Sequence, residues 1–190
     1  MSNFLPTPIT KEHSGFSLIE VMVSISLLLI ALVGPMTFFA RSSQSTEIAN
    51  DRAIATFLAQ EGAELIQKLR DDRSLQDFFD VNNDGWNDFL ADVADCVASP
   101  CGVSITDAGG VTVIDCESNS CVLRYDADAT RARFNHTSGD ATQFTRLVQL
   151  NPVGTREVEI LSRVEWDTTV LRDRPSVEIQ TSVFNVFIAE

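Results

Sequence analysis

Gly15-Phe16-Ser17-Leu18-Ile19-Glu20 opens onto an uncharged apolar run over residues 21–40. One carboxylate therefore stands at the head of a segment long enough to cross a bilayer. About twenty residues at roughly 1.5 Å each span the ~30 Å hydrocarbon core. An acid in that setting costs something like 2.5–3.5 kcal/mol on insertion scales, so Glu20 reads as a functional group in need of a cationic partner. A signal peptide does not account for the stretch. It requires a basic n-region, an apolar core of about 7–15 residues and a small-x-small cleavage site. This run is longer and ends Phe38-Phe39-Ala40. An ordinary single-span anchor has no use for Glu20.

The chain has 190 residues and a formal net charge of −13, from 27 acidic and 14 basic side chains. Acidity is concentrated after the anchor, where eight carboxylates between Asp71 and Asp95 face one base, Arg73. Phosphate-neutralising surfaces need clustered Lys and Arg. With two lysines in the whole chain, direct nucleic-acid binding is not expected. Nor is catalysis, for the sequence holds no G-x-S-x-G, P-loop or H-E-x-x-H. Its histidines are His13 and His136, the second expected as a solvated loop residue.

The four cysteines form two C-x4-C pairs, Cys96/Cys101 and Cys116/Cys121. Outside the cytoplasm disulfides are the expected state, with three connectivities open to four cysteines. Local pairs fit the turn-rich Glu117-Ser118-Asn119-Ser120 between the second two. A four-thiolate zinc site is the alternative.

Helical periodicity continues beyond the apolar run. Ile48, Ala49, Ile54, Phe57, Leu58, Leu65, Ile66 and Leu69 recur at three- and four-residue intervals between polar Arg52, Gln60, Glu64 and Lys68. This predicts one helix over residues 16–70, apolar all round at first and amphipathic later. Gly34-Pro35 predicts a kink or a locally melted stretch, because proline lacks a backbone donor and clashes with the preceding turn. Asp80, Asn82, Asp84, Gly85 and Asp88 match positions of an EF-hand calcium loop, but Ala91 stands where a bidentate carboxylate belongs. The other reading is an Asx-rich turn capping a short helix near residues 88–97, with Trp86 in the core.

Downstream the period becomes two. Residues 111–114 and 122–125 read as short strands, separated by turn signals at Gly109-Gly110 and at the second cysteine pair. Phe144, Arg146, Val148 and Leu150 alternate with Thr145 and Gln149; Val158, Ile160, Val164 and Trp166 alternate with Glu157, Glu159, Arg163 and Glu165. A last run puts Val177, Ile179 and Val183 on one face and Phe184, Val186 and Ile188 on the other, which predicts a central or covered strand. Three consecutive half-buried strands imply an antiparallel meander against the amphipathic half-helix.

The Gly15–Glu20 register with its apolar run resembles the amino terminus of type IV prepilins and of type II secretion pseudopilins. Ala59-Gln60-Glu61-Gly62-Ala63-Glu64-Leu65 is similar to a stretch of minor-pilin-like members. The resemblance implies cleavage by a prepilin peptidase between Gly15 and Phe16, and N-methylation of Phe16. It also implies pairing of Glu20 with the amino terminus of a neighbouring subunit. The implied fold is α+β and pilin-like, a long N-terminal helix packed on an antiparallel β-sheet head. Its parts would be a leader (1–15), a membrane-spanning and assembly helix (16–40), the amphipathic continuation (41–70) and a β-rich head (71–190). The implied function is a minor pilin or pseudopilin of a pilus or secretion filament. It would be held single-pass in the cytoplasmic membrane with its head outside, alongside other pilin subunits and the assembly machinery. The alternative is a non-polymerising, membrane-anchored binding module, with calcium as its one candidate cofactor.

Overall fold

The structure, a computed structural model, describes residues 15–79, 84–116, 121–127, 132–168 and 174–185, and of Asp77 and Phe78 only the backbone. The chain divides into two compact units, Met1–Thr46 and Glu47–Glu190. One helix, α1 (Leu18–Phe79), supplies residues to both. It ends at Phe79 rather than at Arg70, because Ser74 also packs inward while Arg73 is tied down by an ion pair described below.

In the first unit the described residues beyond Leu18 are helical and their side chains exposed, with a mean hydropathy of 2.3 over the most apolar 18-residue window. Three hydroxyls along the apolar stretch are satisfied within the helix, as a lipid environment would demand. Ser24 donates to the Glu20 carbonyl (2.7 Å), Ser26 to that of Met22 (2.8 Å) and Thr37 to that of Gly34 (2.8 Å). Helical structure continues through Gly34 and Pro35, although Pro35 deprives the Ala31 carbonyl of its usual donor.

The second unit contains the buried core. After α1 come two short helices, α2 (Gly85–Asp92) and α3 (Ala94–Ala98), where the sequence predicted one; the chain turns at Val93 between them. Seven strands follow among the described residues: β1 (Cys101–Ile105), β2 (Val111–Asp115), β3 (Val122–Asp126), β4 (Arg133–Asn135), β5 (Asp140–Val153), β6 (Glu157–Trp166) and β7 (Ser176–Phe184). All the pairings are antiparallel. One side of β5 carries β6 and then β7; its other side is shared, with β3 and β4 beside its first half and β1 and β2 beside Val148. Register follows the predicted alternation. Phe144 pairs with Trp166, Arg146 with Val164, Val148 with Ser162 and Leu150 with Ile160, all on the inner face.

Two expectations need correction. β7 is a margin strand, pairing with β6 alone among the described residues. Its inner side chains Val177, Ile179 and Val183 pack inward, while Phe184 stays half exposed. Val186 and Ile188 lie outside the described residues. The sequence reading also omitted β1 and β4. β1 is buried on both sides, so no alternation marks it, and β4 is only three residues long.

Side chains of α1 cover the inner face in two apolar clusters. Ala55, Leu58 and Ala59 meet Leu123, Phe144, Val164 and Trp166. Ala63, Ile66 and Leu69 meet Phe89, Val103, Val148, Leu150 and Ile160. Gly62 lies between them. A Cβ there would collide with the Ser162 hydroxyl and come within 3.0 Å of Arg146 Cδ. Glycine costs about 1 kcal/mol in a helix interior, and the close approach of helix to sheet is what it permits. Gly62→Val is expected to destabilise the second unit by about 2 kcal/mol or more through overpacking, read as a lowered thermal transition.

Candidate functional site

Gly15, Phe16 and Ser17 precede the helix in open, non-helical chain. A Cβ at Gly15 would meet nothing within 4 Å, and Phe16 is 82% exposed. Among the described residues, the peptide bond between them lies outside regular secondary structure, and its flanking side chains are unpacked. The amides of Glu20 and Val21 both bond to the Ser17 carbonyl (3.0 and 3.2 Å), so Glu20 lies in the first helical turn. A helix amino terminus carries a positive partial charge. Cleavage at Gly15 would add an α-amine two residues before the helix. Both positive features favour a carboxylate at the level of Glu20.

Of the candidate calcium ligands, Asp80 and Asn82 lie outside the described residues. Asp84 caps α2, its carboxylate accepting from the Asn87 amide (3.1 Å) and side chain (2.6 Å). Asp88 sits in the first turn of α2. Trp86 is buried and donates its indole N–H to the Thr155 carbonyl (3.1 Å). Asp92, one place beyond the twelfth loop position, accepts from Arg73 Nε at 2.6 Å and ties α2 to α1. Among the described residues no three metal-ligating side chains converge.

Both cysteine pairs close locally, Cys96 to Cys101 and Cys116 to Cys121. No thiolate remains for zinc. The first bridge is buried and joins α3 to β1. The second backs onto β1 at Gly102, where a Cβ would fall 2.9 Å from Cys121 Sγ and 3.1 Å from the His136 ring.

The main feature the sequence reading missed is Arg146. It is wholly buried, and it is the bulkiest such side chain among the described residues. Its Nη1 donates to Glu61 Oε2 (2.7 Å) and to the Leu58 carbonyl (3.1 Å), and its Nη2 to the Val103 carbonyl (2.6 Å). One guanidinium thus joins α1, β5 and β1. Burial pushes its pKa down while the Glu61 carboxylate holds it up; arginine remains charged throughout. The available signal was a base at an inward position of β5.

His136 also departs from expectation. Both ring nitrogens are buried without a hydrogen bond. Its pKa falls from the ordinary 6.5 to about 4, chiefly through burial and then through the nearby Arg146 charge. The Val122 and Val103 carbonyls oppose this shift without reversing it.

Residues 10–34 match the prokaryotic N-terminal methylation motif, the prepilin-type cleavage and methylation motif of type IV pilins and pseudopilins. No curated protein and no solved structure matches the chain. The match is confined to the amino-terminal segment, which is thereby similar to that of type IV pilin-like and pseudopilin-like proteins, and the long apolar helix agrees with a single-pass membrane anchor. The motif's family is structural rather than enzymatic. It implies processing by a prepilin peptidase and assembly with other pilin subunits.

Two measurements check the buried charges. Glu61→Leu, which strands a buried guanidinium, is expected to cost about 3 kcal/mol, whereas Arg146→Met is expected to cost less or to stabilise; chemical denaturation distinguishes them. For His136 the unfolded chain binds a proton that the folded one refuses between pH 6.5 and about 4. Stability contributed by the neutral imidazole is therefore lost on acidification through that window, by about 3 kcal/mol at most. His136→Gln is expected to flatten that part of the stability–pH curve relative to the parent.

Proposed function

We propose that this chain is a minor pilin or pseudopilin, a structural subunit of a type IV pilus or type II secretion filament. The observation that carries this is the register of Gly15, Phe16, Glu20 and the following apolar helix inside the matched motif. The unprocessed chain waits in the cytoplasmic membrane with its second unit outside, where the two disulfides would form and persist. Prepilin peptidase cuts the accessible bond after Gly15. The freed amine of Phe16 is N-methylated and remains cationic at the start of the helix.

Assembly then exchanges lipid for neighbouring helices. Without a hydrophobic gain over lipid, such association depends on packing and polar contacts. Glu20 supplies the polar contact. Its carboxylate accepts the terminal amine of an adjacent subunit, neutralising both charges in an apolar filament core and fixing one helix against the next. An unpaired acid at that depth is penalised, so the correct register is favoured over neighbouring ones. The similarity of residues 59–65 to minor-pilin-like sequences favours a minor role.

Terminal mass spectrometry of the membrane-extracted protein is expected to find a chain beginning at N-methyl-Phe16. Glu20→Val is expected to leave membrane insertion intact and to abolish incorporation into filaments. A chain still beginning at Met1, or unchanged incorporation of the variant, would favour a non-polymerising anchored module.

A further inference from the structure

On the second unit, α2, α3 and the β5–β6 turn form an open groove of about 280 Å³. Trp86, Leu90 and Val97 line it from the helices, and Pro152, Thr155 and Val158 from the hairpin. Bonds around the groove fix both walls. The Trp86 indole N–H donates to the Thr155 carbonyl, and Gln149 Nε2 donates to the carbonyls of Cys96 (3.0 Å) and Val97 (3.2 Å). Cys96 is bridged to Cys101 on β1. The groove is therefore preformed, which lowers the cost of filling it. Leu90 is only partly buried and Val97 is exposed, so an apolar surface meets water at its mouth. On a head rich in carboxylates, such a patch marks a place where something docks.

The lining holds one carboxylate, Glu157, and no cation, which disfavours an anionic amphiphile. The indole N–H that could anchor a polar ligand is already engaged. An apolar side chain fits, and the chain brings one to the rim. The Asn185 amide donates to the Arg156 carbonyl at 2.8 Å, carrying the β6–β7 ladder one step past the Glu157–Phe184 pair. Arg156 stands between Thr155 and Glu157, both in the lining. The chain thus leaves β7 beside the groove. Val186-Phe187-Ile188 come next in the sequence, outside the described residues. In the two-residue period of β7, position 187 extends the inward set Val177, Ile179 and Val183, on the side where Val158 and Trp86 are buried. Two residues of extended chain advance about 7 Å. A tethered segment also reaches the groove at a high effective concentration that a separate molecule lacks. We propose that residues 186–188 dock in this groove with Phe187 as the anchor, fastening the end of the margin strand β7 to α2 and α3.

The test uses the full chain in lipid nanodiscs, with photoreactive p-benzoylphenylalanine in place of Phe187. After irradiation, peptide mass spectrometry is expected to find cross-links within one chain to residues 86–97 or 152–158, the lining segments. Cross-links to other parts of the chain, cross-linked dimers in which the segment enters a second copy, or no cross-link at all overturn the proposal. Stability gives an independent reading. Phe187→Ala is expected to lower the thermal transition by about 5 °C, and Phe187→Leu by less; an unchanged transition in Phe187→Ala overturns the proposal. Val97→Asp places a charge in the groove at an exposed position. In that background Phe187→Ala is expected to lower the transition little further, and an undiminished effect shows that the two side chains do not meet and overturns the proposal. Should Val97→Asp fail to fold, the cross-linking result decides.

Discussion

A guanidinium with no access to water sits where the helix of the second unit approaches the sheet closely at Gly62. Arg146 occupies an inward position on β5 between two apolar clusters, and its hydrogen bonds end on α1 and β1. Apolar contacts alone are non-directional, so either cluster could tolerate a small slide of the helix along the sheet. The guanidinium could not. Moving α1 by one residue would take Glu61 and the Leu58 carbonyl out of reach and strand the charge in the core. Gly62 belongs to the same constraint, since its missing side chain is the space that Arg146 and Ser162 occupy. The helix register on the sheet is therefore set by a polar contact embedded in an apolar interface.

The amino-terminal unit poses a related physical problem. Glu20 is the one charged side chain of α1 before Arg41, in a stretch whose surface suits lipid, and among the described residues its own chain offers it only the positive end of that helix. Arg146 finds its carboxylate within the fold, on a neighbouring element. Glu20, under the proposed assembly, finds its cation on another molecule. In both cases the cost of leaving a charge unpaired in apolar surroundings selects one arrangement over near alternatives. The first selection operates during folding and the second during polymerisation.

The sequence was most informative where one residue type repeats against a simple background. The apolar run, the β5–β6–β7 alternation and the local cysteine spacing each reflect a chain segment meeting a single environment. Less was legible where several elements converge. β1 carries no alternation because both its faces are covered, and Gly102 is required there by a disulfide and an imidazole from other parts of the chain. His136 looked solvated in a polar stretch, yet its ring is enclosed against β1. β7 has two apolar faces and still lies at the sheet margin, which strand composition alone does not reveal.

By itself the amino-acid sequence determined the long apolar helix, the place of Glu20 in its first turn and the inward residues of the last three strands. These depend on local spacing, whether the 1.5 Å helical rise or the two-residue period of a strand. Only the tertiary structure decided that Glu61 would meet Arg146 across 85 residues of chain. It alone decided that β5 would divide one of its edges between two hairpins, and that the Asn135 side chain would be buried. Those outcomes depend on which distant surfaces are buried together, and a buried polar group is constrained by its spatial neighbours rather than by its neighbours along the chain.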